Sequence, residues 1–125
     1  HVLSFPELAY LSHKTGSMTT DDMRANGERI KGISTIAEIM EYGEKVQKDI
    51  ANFFSTADSS ALDLVVPAHY GGEVTVLELM NIILRHSTHH LNQSYWFMEE
   101  TLGITVTDKM TEEDLEGIAT PTELI

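Results

Sequence analysis

The spacing of apolar positions divides the chain into helical stretches separated by short polar or glycine-containing breaks. The longest stretch begins at Thr75, where Thr75 and Glu78 form the pattern of a reciprocal N-terminal cap. It has no Gly or Pro before Gly103, so a helix is predicted to about Leu102. Its inward stripe runs Val76, Leu79, Met80, Ile83, His86, His90, Ser94, Phe97 and Met98. Val76, Ile83, His90 and Phe97 share one heptad position, so an imidazole stands where the pattern calls for an apolar side chain. His89 lies about 100° further round and is predicted at the stripe's edge or on another surface.

A second clear helix begins at Thr35 and Glu38, again a capping pattern, and carries Ile36, Ile39, Met40, Val46, Ile50, Phe53 and Phe54 on one side. It is predicted to end near Ser55, where a polar run starts. Residues 1–15 read as a short helix, with Pro6 kinking it or marking its first turn and Gly16 stopping it. Thr19 with Asp21 and Asp22 predicts a small helix over 19–26, and Gly27 and Gly32 bracket a connection. Strand character is confined to the stretch around 63–74, where Leu64-Val65-Val66-Pro67 and Gly71-Gly72 predict an extended arm or a short hairpin. The acidic tail offers one short helix over 111–115, and Pro121 forbids a longer one. The expectation is a single all-α domain over 1–125.

Composition narrows the chemistry. A net charge of -12 repels phosphate backbones and anionic lipid, so neither nucleic acid nor a membrane is an expected partner. No run reaches the roughly 18 consecutive apolar residues of a membrane span. No cationic segment leading into an apolar stretch opens the chain, so no leader is expected. The absence of cysteine excludes disulfides, thiolate zinc sites and a cysteine nucleophile, and suits a cytoplasmic protein. The glycine fingerprints of nucleotide sites and the Gly-x-Ser-x-Gly elbow are absent. The residue after His86 is Ser87 rather than glutamate, which argues against a zinc protease.

What remains is the histidine pair. His86 and His90, one helical turn apart, aim two imidazoles at one point. They could be core imidazoles paired to carboxylates or carbonyls. Left unpaired, each would cost a few kcal/mol to bury, a cost that a shared metal ion removes. A third ligand must come from elsewhere, with His1, His13, His69, or an Asp or Glu as candidates. Tyr70 and Tyr95 could serve a site as proton donors, although core packing is the expected role of both, as it is of Trp96, Phe97 and Met98.

The run His86-x-x-x-His90-x-x-Gln93 followed by Gly103-Ile104 resembles the last helix of the DinB/YfiT-like superfamily, a group regarded as metalloenzymes. The preceding Val66-Pro67-Ala68-His69-Tyr70-Gly71, with Thr75 and Leu77-Glu78-Leu79, resembles the segment leading into that helix. The tail from Glu113 to Pro121 is similar to that of a subgroup often joined to a glutaredoxin-like domain. The resemblance implies a four-helix bundle holding a divalent metal, nickel or zinc and in some cases iron, on three histidines. It implies His86 and His90 as two ligands. His1-Val2-Leu3-Ser4-Phe5 resembles the family's second helix at the point of the third ligand, which makes His1 the preferred choice. The family's first helix would then be missing from this chain, which would be N-terminally incomplete, and a homodimer or a separate fragment would cover the open side of the core. The implied chemistry is a thiol-dependent transfer or isomerisation using a small-molecule thiol and an electrophile. Gln93 and Tyr70 are the expected supporting or substrate-contacting residues. The alternative is a metal-binding or accessory module without turnover.

Overall fold

The computed structural model describes residues 1–118. Four α-helices carry the fold: α1 (Ser4–Thr15), α2 (Thr20–Ile30), α3 (Ile36–Thr56) and α4 (Val76–Trp96). Two short strands, β1 (Val65–Pro67) and β2 (Glu73–Thr75), pair antiparallel in the register Val65 with Thr75, Val66 with Val74 and Pro67 with Glu73. The chain is therefore an all-α bundle with one small hairpin, close to the predicted arm over 63–74. Gly71 and Gly72 both hold positive φ, near 87° and 86°, which is what lets the hairpin turn so tightly.

The helix starts follow local chemistry. Thr19, Thr35 and Thr75 each accept a hydrogen bond from the backbone N–H three residues on, and Asp22, Glu38 and Glu78 reach back to the cap residue. Pro6 lies in the first turn of α1, where its missing N–H leaves no helical bond unmade. Gly16 ends α1 in the left-handed conformation.

Helix α1 packs against α2, α3 and α4. It runs antiparallel to α4: Phe5 at its start stacks on His86, while Met18 beyond its end donates its N–H to Pro67 O at the base of the hairpin, 3.0 Å. The core gathers where the hairpin, α1 and α4 meet, around Ala9, Met18, Val66, Ala68, Val76, Leu79 and Ile83.

The elements differ from expectation in four places. Gly27 lies inside α2, which continues to Ile30. The bond from Arg29 to Glu7 of α1 and the burial of Asn26 offset the roughly 1 kcal/mol that a helical glycine costs. Helix α4 ends at Trp96 and widens into a π-helical turn, Phe97–Thr101, before Gly103. The predicted helix over 111–115 is a run of turns, although Thr111 and Asp114 do form a reciprocal cap. Trp96, Phe97 and Tyr70 are about half exposed rather than packed. The first two close α4 and open the turn that follows it. Pro121 falls outside the described residues.

Large apolar side chains stay exposed on one side of α3 (Ile36, Met40, Phe54) and on α4 (Leu77, Leu84). Among the described residues no helix is long and apolar enough to cross a membrane.

Candidate metal centre

The antiparallel packing of α1 on α4 decides which side chains meet. His1 precedes α1, and its carbonyl accepts the Phe5 N–H at 3.0 Å, which ties it to the first helical turn. That turn abuts the part of α4 carrying His86 and His90. The His1 ring lies 4.7 Å from the His90 ring, edge-on, and 5.5 Å from that of His86; the His86 and His90 centroids are 4.4 Å apart. Each residue offers one ring nitrogen, and these three atoms lie within 4.8 Å of one another. Among the described residues this is the one group of three or more such side chains close enough to share an ion.

The ring of His90 is fixed from behind. Its Nδ1–H donates to Gln93 Oε1 at 2.7 Å. That bond selects the tautomer in which Nε2 carries a free lone pair. His86 is held below its ordinary value of 6.5 by desolvation of its ring, with His90, His69 and His89 adding to the effect. It is therefore neutral at pH 7, the form that can ligate a metal. His1 and His86 are exposed and His90 is partly buried, so the cluster opens to solvent.

The other histidines are not members of this group. His13 bonds the Tyr10 carbonyl through Nδ1 and packs on Phe53, 4.6 Å between centroids, on the far part of α1. His69 sits in the hairpin turn with Tyr70 edge-on to it at 5.1 Å. His89 lies beside His90, but its Nδ1 is buried without a hydrogen-bond partner, as is that of His69. Tyr70 touches His69 rather than the triad rings, and its side chain faces solvent.

A family profile described as the DinB superfamily matches residues 4–94. The chain belongs to the DinB superfamily. The DinB match includes His86, His90 and Gln93 and stops just short of His1, so the position of His1 comes from the geometry. No match is found among curated proteins or among solved structures.

Sequence reasoning did not single out a second polar cluster, at the other side of α1. The Glu7 side chain is 4% exposed, and its carboxylate accepts hydrogen bonds from Tyr42, Arg29 and, at 3.2 Å, Lys45. Arg29 also donates to Asn26 Oδ1 at 2.7 Å. Burial alone would raise the Glu7 pKa; the bonds from Tyr42, Arg29 and Lys45 outweigh it and hold the carboxyl below its usual range. Burial, with Glu7 adding, pushes Tyr42 up to about 12. The network joins α1, α2 and α3 and is structural. No periodicity flags it, because α1 is covered on several sides and so buries Ser4, Glu7 and Ser12 alongside Ala9 and Tyr10.

Proposed function

We propose that this DinB-superfamily domain binds a divalent transition metal, nickel or zinc and alternatively iron, on His1, His86 and His90, and uses it in a thiol-dependent transfer or isomerisation. The observation that carries this reading is the convergence of three ring nitrogens within 4.8 Å. The donor set fits the group. Bonds of about 2.0–2.1 Å to a tetrahedral ion would separate the nitrogens by about 3.4 Å, a distance reached by small rotations of the exposed His1 and His86 rings. Three neutral imidazoles suit a borderline cation better than magnesium or calcium, which prefer oxygen.

The bound cation would keep its full charge and lower the pKa of a thiol or water in its open position. The protein's own part is positional. His1 brings α1 into the site, Gln93 holds the His90 ring with Nε2 forward, and the open face admits a small-molecule thiol and its electrophile. Tyr70, exposed beside His69, is the proposed outer substrate contact. A cytoplasmic setting, where thiols stay reduced, fits this chemistry.

Elemental analysis after metal titration tests the reading. One equivalent of a transition metal is expected, and no uptake would overturn it. A second reading, a metal-binding or accessory module without turnover, is favoured by the exposed apolar side of α3 and α4, which suits a protein partner such as a second copy in a homodimer. Turnover of a thiol and electrophile panel by metal-loaded protein decides between the two.

A further inference from the structure

Two clefts flank His1, the member of the histidine cluster that borders both, and they share Val2 as well. One, of about 370 Å³, runs along α4 past His90, Gln93, Ser94, Phe97 and Met98, and so offers an amide and a hydroxyl beside its apolar groups. The other, of about 340 Å³, runs from His1 towards the α2–α3 connection. Its walls are Val2, Leu3, Ile30, Ile33 and Ile39, with Ser4 and Tyr42 as the members that carry a hydroxyl. Five aliphatic side chains from three parts of the chain line this second space. Their apolar surface sits directly beside a proposed metal ligand. Its volume lies within the range of small-molecule sites, and such sites combine apolar walls with a few polar groups that fix orientation.

Resting on the metal-site reading above, we infer that the Ile30–Ile33–Ile39 cleft binds the aliphatic tail of the metal-bound ligand: a substrate with a thiol head at the triad and an unbranched alkyl chain running towards Tyr42. Chain length is then a specificity determinant. The thiol head binds at the metal whatever follows it, whereas the tail contributes only through the apolar area it buries. The cleft beside Gln93 and Ser94 is left for the more polar reaction partner.

The test is calorimetric titration of zinc-loaded protein with n-alkane thiols from ethanethiol to hexanethiol. Affinity is expected to rise about threefold to fourfold per methylene, the transfer free energy of one buried CH₂ group. Ile39→Asn puts an amide in the cleft wall at a half-exposed helical position and is expected to flatten that series while leaving zinc affinity unchanged. Leu84→Asn, on the other exposed apolar side, is expected to keep it. Failure to take up zinc would overturn both the metal site and this inference. Zinc uptake with absent or chain-independent thiol binding would overturn this inference alone. So would a series that survives Ile39→Asn, or one that is flattened by Phe97→Asn instead.

Discussion

Gln93 holds His90 by a 2.7 Å hydrogen bond from Nδ1 to Oε1, one turn further along the same helix. The bond fixes both the tautomer and the plane of the ring. Gln93→Ala frees the ring and is expected to weaken metal binding about 10- to 100-fold, the usual effect of removing a group that orients a ligand histidine. Competition titration against a chelator reads the loss. Circular dichroism should stay unchanged, because Gln93 is not part of the buried core.

The histidines divide into two sets. Alanine at His86 or His90 is expected to abolish stoichiometric metal binding, and His1→Ala to weaken it severely. His13→Ala and His69→Ala should bind metal as the wild type does, since His13 serves Tyr10 and Phe53 and His69 packs on Tyr70. Wild-type affinity in both His86→Ala and His90→Ala would reject the site.

Glu7 ties three helices together, and its removal should cost stability rather than metal affinity. Glu7→Gln keeps the shape but loses the charge that Arg29 and Lys45 face. About 1–3 kcal/mol is expected, less than for a fully buried pair because those two partners are 51% and 57% exposed. The pH dependence follows from the lowered carboxyl pKa. The contribution is complete above the ordinary value of 4.5 and is lost as pH falls through the lower folded value. Urea denaturation at stepped pH should therefore show the gap between wild type and Glu7→Gln closing in acid. Tyr42→Phe removes one of the bonds that lower the Glu7 pKa, so its acid loss should be smaller and should be complete at a higher pH.

Met18 is fully buried, and its backbone joins the end of α1 to the hairpin. Met18→Ala opens a cavity at the junction of α1, α4 and the strands. Its expected cost is about 2–5 kcal/mol by chemical denaturation, a large share of the roughly 5–15 kcal/mol that holds a domain folded.

Much of the scaffold was legible along the chain. The Thr–x–x–Glu caps at Thr35 and Thr75 are local chemistry, and they place the starts of α3 and α4 where the structure has them. The end of α4 was less legible. Gly103 has the expected positive φ, but the preceding turn loosens into a π-helix that no spacing announces.

The sequence by itself determined the starts of α3 and α4 and the one-turn spacing of His86 and His90, because each depends on residues a few positions apart. Only the tertiary structure decided which histidine completes the cluster, that Glu7 is buried among Arg29, Tyr42 and Lys45, and that Trp96 and Phe97 face solvent. Those outcomes depend on how α1 lies across α2, α3 and α4. Local periodicity encodes which face of a helix is apolar, but it carries no information about which distant side chain packing will set against that face.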